Sequence, residues 1–205
     1  MKISDTCIYG LEAAVAASRL PFTEPGAPAD AQMASAAEIA LGRGGDRSIG
    51  RAAKLAAAPP GSGHDNFLCG IVVQATVTAP RYWWPELQRY HFVDIVSSTS
   101  TMHTLVRLLE EHRGADALYR ECFVESTPPE MVRAFVAAAE KLLAAGAGKD
   151  ALKSALPEGF LQTARIVTNY RQLKTIYAQR RTHELREWQD FCEWIRGLRY
   201  SEWLV

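Results

Sequence analysis

The run Ile71-Val72-Val73-Gln74-Ala75-Thr76-Val77 limits the fold more than any other stretch of this chain. It is β-branched and partly alternating, which suits a strand lying half-buried on a pleated surface. A second strand is expected over Phe160 to Thr168. Much of the rest is patterned for helices. Leu11, Ala14 and Val15 fall at helical spacing within 8–20, ended by Pro21. Alanine-rich helices are expected near 30–42 and 48–58, stopped by Pro59-Pro60-Gly61-Ser62-Gly63. Residues 80–90 read as a helix that starts near Trp84 or is kinked, because proline is tolerated only in a first turn. Leu105, Leu108 and Leu109 mark another. Thr127-Pro128-Pro129-Glu130 has the spacing of a capping box, opening a helix through Val132, Phe135, Val136 and Ala139 that Gly146 closes. Asn169 is placed to cap a helix from Tyr170. Leu185, Trp188, Phe191, Cys192, Ile195 and Leu198 form one apolar face of a last helix. The expected architecture is α/β (α+β): a helix-rich single domain, 1–205, around a central sheet.

A 48% apolar and 22% charged composition supplies a core without staples. Formal net charge is zero, from 23 basic and 23 acidic residues, which argues against broad attraction to a nucleic-acid backbone or an anionic membrane. Neither partner is expected. Cys7, Cys69, Cys122 and Cys192 form no Cys-x-x-Cys pair, and no His-Glu-x-x-His occurs, so no metal site is expected and reduced thiols are the default. The N-terminus has no continuous apolar stretch, and no window approaches about eighteen apolar residues. A cytoplasmic protein is expected.

Three clusters could carry chemistry. Gln88-Arg89-Tyr90-His91 is followed within ten residues by Ser97-Ser98-Thr99-Ser100-Thr101. Arginine can grip a phosphate with two parallel donors, hydroxyls can cradle it, and rings can stack on a base or a flavin. A solvated helix end and a serine-rich turn would read the same way. Arg171, Arg180, Arg181 and Arg186 form the second cluster, which would serve equally as a helix corner with cations near a C-terminus. The acids Glu184, Glu187 and Asp190 among them argue against nucleic acid. Gly63-His64-Asp65-Asn66, just before the first strand, is the third; a lone histidine by a glycine turn is often only exposed.

Taken in order, Gly63-His64, a strand, Ala79-Pro80, an aromatic helix, Arg89-Tyr90-His91 and the hydroxyl-rich segment resemble the flavin-dependent thymidylate synthases. Leu156-Pro157, a strand, Asn169-Tyr170-Arg171-Gln172-Leu173 and Arg180 match that family's later motifs at like spacing. The likeness covers roughly 60–105 and 155–200. There are departures: Tyr90 and His91 replace the signature histidine and second arginine, and Thr99 stands where a serine is usual. Glu86 replaces a glutamine, and Thr163 falls where the family has a phosphate-binding arginine, with Arg165 nearby. With this drift the chain is similar to the branch that methylates UMP in polyoxin-type nucleoside antibiotic biosynthesis.

The resemblance implies FAD-dependent C5-methylation of UMP and dUMP, with methylenetetrahydrofolate and NADPH as cosubstrates, in a homotetramer whose subunits share each site. By the same likeness Arg89, Tyr90 and His91 contact the flavin or its phosphates, and His64 lines the flavin and one-carbon pocket. Asn66 and Asn169 are further flavin contacts, and Arg180 reaches its adenosine side. Glu86, Arg89, Ser97, Ser98, Thr99 and Ser100 hold the nucleotide, and Arg186 meets the uracil carbonyls. His64 and Arg186 are the catalytic candidates. A non-catalytic relative keeping the fold as a nucleotide- or flavin-binding module is the alternative, supported by the replaced signature residues.

Overall fold

A computed structural model describes residues 1–24, 26, 45–59, 61–111 and 114–205. The helix expected near 30–42 lies outside the described residues. Four strands form one antiparallel sheet: β1 (Lys2–Tyr9), β2 (Val72–Pro80), β3 (Asp94–Ser98) and β4 (Leu161–Asn169), in the order β1-β2-β4-β3. The inner strands are the two expected from sequence. Val73, Ala75, Val77 and Ala79 of β2 are buried in strict alternation with half-buried Val72, Gln74, Thr76 and Thr78. Ala164, Ile166 and Thr168 of β4 alternate likewise. The edge strands depart from expectation. β1 precedes the first helix in a stretch with no strand signal, and β3 occupies part of the hydroxyl-rich segment read as a loop. Both are paired on one side only and largely exposed, so burial imposes no apolar alternation on them.

The helices are α1 (Leu11–Ala17), α2 (Gly45–Ala56), α3 (Trp84–Leu87), α4 (Thr101–Glu111), α5 (Ala115–Cys122), α6 (Pro129–Ala144), α7 (Lys149–Ala155), α8 (Tyr170–Arg180) and α9 (Arg186–Arg196). The capping box at 127–130 is not formed. Pro128 is the N-cap of α6, and Thr127 Oγ1 is buried without a hydrogen-bond partner. Thr127 faces Gly159 instead, where an added Cβ would lie 1.9 Å from its hydroxyl oxygen. The helix begins at Pro129, one residue later than that box requires, and the threonine is buried. Among the described residues no helix is long and apolar enough to cross a membrane, and no cluster of His, Cys, Asp or Glu could hold a metal ion.

Internal contacts divide the chain into two compact units, with each of the four strands contributing residues to both. The first comprises 1–4, 76–91 and 95–166. Its core joins Leu105 of α4, Leu118 of α5, Val132, Phe135 and Val136 of α6, and Leu152 of α7. Val132, Phe135, Val136 and Ala139 are the single face that α6's spacing requires. The second unit comprises 5–75, 92–94 and 167–205. Here α1, α2 and α8 pack on a 3₁₀ turn, His64–Gly70. Gly10, with φ +73°, starts α1 so close to that turn that a Cβ would sit 2.6 Å from the Gly70 carbonyl oxygen. Only glycine fits both demands. Trp188, Phe191, Cys192 and Ile195 of α9 are buried, as the last apolar face predicts.

Candidate functional site

The 3₁₀ turn follows Gly63, whose φ of +78° redirects the chain after the loop. It leaves His64 and Asn66 exposed and buries Asp65 between them. Asp65 is 2% exposed. A buried carboxylate must be compensated, and two residues of α8 do so. Lys174 Nζ lies 3.2 Å from Oδ2, and Arg171 Nε lies 3.4 Å from Oδ1. The lysine is also fixed by the Ala56 and Ala58 carbonyls, at 2.6 and 3.3 Å. The arginine is not aligned for a hydrogen bond, so Oδ1 accepts none.

These side chains line a cleft of about 430 Å³ with Cys69, Phe92 and Asn169, a volume suited to a small molecule. Asn169 does two things there. Its Oδ1 accepts from Gln172 N–H at 2.8 Å, the expected cap of α8, and its position brings the amide to the cleft wall. Phe92 is 65% exposed and offers an apolar ring. Cationic donors, an amide and a ring together fit a phosphate-bearing heterocycle, as the chemistry of FAD requires.

At the far end of α8, the Arg180 guanidinium lies 4.5 Å from the centre of the Trp188 ring. The following corner is tied by Leu185 N–H donating to His183 Nδ1 at 3.1 Å. Arg186 opens α9 with its side chain 83% exposed, and its Nε lies 3.3 Å from Asp190 Oδ1.

In the first unit, α3 starts at Trp84 with Pro85 in its first turn, as expected. Glu86 is half-buried on it, and Arg89, Tyr90 and His91 follow its end, with Arg89 and His91 exposed. Ser98 enters a second cleft of about 320 Å³, shared with Arg81, Gln88, Glu158 and Gln162. Arg81 is held there by the Leu156 carbonyl at 3.1 Å and Glu158 at 3.5 Å. Ser97 is exposed on β3, and the Ser100 carbonyl accepts from His103 and Thr104 as α4 begins. Thr99 is differently engaged. Its hydroxyl donates to the Thr163 carbonyl at 3.3 Å and accepts from Thr163 N–H at 3.2 Å, lacing the end of β3 to β4. Thr163 Oγ1 pairs with Thr78 Oγ1 at 2.8 Å, and Arg165 Nη1 donates to Thr76 Oγ1 at 3.3 Å.

No protein-family model matches the sequence, and no curated protein sequence does. Solved structures do. A flavin-dependent thymidylate synthase ThyX from Helicobacter pylori, complexed with FAD and dUMP, superposes with a TM-score of 0.71 at 20% identity. The match covers 97% of this chain and 94% of that one. A second structure of the Helicobacter pylori enzyme with FAD and dUMP gives a TM-score of 0.74, also at 20% identity, over 98% and 95% of the chains. The fold is that of the flavin-dependent thymidylate synthases.

Within that thymidylate synthase fold the expected site residues fall in distinct places. Asn169 lines the first cleft and Ser98 the second, whereas Arg186 lines neither. Sequence reasoning misses Lys174 and Arg81. It names Asp65 and Arg171 only as members of candidate clusters and gives neither a role, although the Asn-x-Arg spacing marks the arginine. Two cysteines are removed from consideration as nucleophiles. Burial pushes the Cys122 thiol up to about 11, with Glu121 adding to the effect. Burial likewise pushes Cys192 up to about 11, against the opposing charge of Arg180. Both are protonated at neutral pH.

Proposed function

We propose that this chain is an FAD-dependent C5-methylase of a uridine nucleotide, acting on UMP and dUMP. In this reading it takes its carbon from methylenetetrahydrofolate, has its flavin reduced by NADPH, and works as a cytoplasmic homotetramer in nucleoside antibiotic biosynthesis. The observation that carries the reading is the fold agreement over nearly the whole chain with enzymes solved with FAD and dUMP. The motif order adds support, because the segments that resemble the family lie here on a glycine-histidine turn before β2, on the exposed end that follows α3, and on the capped start of α8.

Bound to the protein, FAD would supply the hydride that reduces a transferred methylene to methyl. The chain's own residues then bind and orient. Arg89, Tyr90 and His91 hold the flavin or its phosphates, Asn66 and Asn169 assist, Arg180 takes the adenosine side, and His64 lines the one-carbon pocket. Glu86, Ser97, Ser98 and Ser100 place the nucleotide. The Thr99 hydroxyl, engaged with Thr163, contributes through the strand it fixes. Arg186 has a side chain exposed enough to meet uracil carbonyls and to stabilise charge that develops on the ring.

The test is tritium release from 5-labelled UMP and dUMP, with methylenetetrahydrofolate and reductant, on protein titrated with FAD. Flavin uptake and FAD-dependent release are expected. Flavin uptake without release from either nucleotide would establish the non-catalytic alternative, and no flavin uptake would overturn the cofactor assignment.

A further inference from the structure

We propose that Asp65 is a positioning residue, which holds Arg171 in the 430 Å³ cleft as the receptor for a phosphate group of the bound cofactor. This rests on the FAD reading above. The three charges of the cluster are unequally engaged. Lys174 is satisfied by three oxygens, those of Asp65, Ala56 and Ala58. It therefore neutralises the buried carboxylate and anchors it to the end of α2. Arg171 is left as the excess cation, with a side chain 37% exposed. Its Nε faces Asp65, its Nη1 reaches only the Cys69 sulfur at 3.9 Å, and its Nη2 has no hydrogen-bond or ion-pair partner among the described residues. A guanidinium held by its Nε edge keeps its terminal nitrogens for a second acceptor, and a phosphate matches that fork. Asp65 Oδ1 is buried and accepts no hydrogen bond, so the position of Arg171 also compensates the carboxylate.

Positioning and simple electrostatics predict opposite signs for one substitution. Asp65, Lys174 and Arg171 sum to one positive charge. Asp65→Asn raises that sum to two, which by Coulomb attraction alone would tighten an anionic ligand. If Asp65 acts by orienting Arg171, FAD binds more weakly instead. The experiment measures FAD affinity by flavin fluorescence for the full-length protein, Asp65→Asn, Arg171→Gln and the double variant, with thermal midpoints alongside. Arg171→Gln is expected to weaken FAD roughly 10- to 100-fold, the range for losing a charge-assisted hydrogen bond. Asp65→Asn is expected to weaken it about tenfold, and to add nothing in the Arg171→Gln background, because its effect runs through the arginine. Should Asp65→Asn fail to fold, Asp65→Asn with Lys174→Met keeps the net charge at one and is expected to weaken FAD by the same factor. FAD affinity unchanged or tighter in the folded variant, or a full additional loss in the Arg171→Gln background, would overturn the proposal while leaving the flavin reading intact. Absence of FAD binding by the unmodified protein would overturn both.

Discussion

Thr99→Val keeps the branched shape of the side chain and removes only its hydroxyl. That hydroxyl makes two cross-strand hydrogen bonds to the Thr163 backbone, at 3.3 and 3.2 Å. The Thr99 N–H bond to the Thr163 carbonyl, at 2.9 Å, and the Gln162 Nε2 bond to the Thr99 carbonyl, at 3.1 Å, do not depend on it. A hydrogen bond contributes about 0.5–1.5 kcal/mol net. Both bonds here are long and belong to an exposed residue, so the lower end applies to each and their sum is about 1–1.5 kcal/mol. For a chain of this size each kcal/mol moves the thermal midpoint by about 2–4 °C. Thr99→Val should therefore lower the midpoint by about 2–6 °C and reduce the urea midpoint with unchanged slope. Thr99→Ser, which retains the hydroxyl, should lose less. Because the hydroxyl belongs to the strand pairing, the nucleotide Michaelis constant of Thr99→Val should change by less than about tenfold, which corresponds to 1.4 kcal/mol. An unchanged midpoint with a larger rise in that constant would place the hydroxyl on the nucleotide. Loss of all turnover at unchanged nucleotide affinity would place it in the chemistry. Either result refutes the argument.

Arg186→Ala should abolish most C5 tritium exchange while leaving flavin uptake intact. Its i,i+4 pair with Asp190 is exposed and worth only about 0.3–0.5 kcal/mol, so the thermal midpoint should fall by no more than about 2 °C; normal turnover in this variant refutes its role. The buried thiols give a stability profile in alkali. Burial raises Cys122 and Cys192 from an ordinary value of 9.0 to about 11 in the folded chain. Their protonated form contributes stability that is fully present below about pH 9 and is lost as pH rises towards 11, where the unfolded chain alone ionises. Urea titrations at steps from pH 8 to 11 should show this decline, reduced in Cys122→Ala/Cys192→Ala, and an equal decline in that double variant would show that other groups cause it.

The parts of the fold legible in the sequence are those whose burial is repeated along one element. The β-branched core of β2, the face Val132-Phe135-Val136-Ala139 of α6 and the face of α9 each carry a periodicity that burial enforces. Asn169 was legible for a different reason: capping is local chemistry, complete within three residues. β1 and β3 leave no such trace, because an edge strand needs only backbone partners on one side. The Thr127 motif shows the converse failure. The spacing of a capping box is present, yet its threonine packs against Gly159, a residue that no window around the helix start contains.

The candidate site divides along the same line. Arg89, His91 and Ser98 are exposed within short sequence motifs, so the signal that proposes them as ligand contacts is local. Asp65 has no signature of its own, since an aspartate beside an exposed histidine reads as solvated. Its burial depends on Lys174, 109 positions away, and on Arg171 one helical turn before it. A residue that works by holding another is defined by the pair, and the pair exists only once α8 has packed on the 3₁₀ turn. Asp65 thus depends on a long-range contact within the second unit. For that reason the coupling between Asp65 and Arg171 in cofactor affinity separates its positioning role from its structural one better than either single substitution.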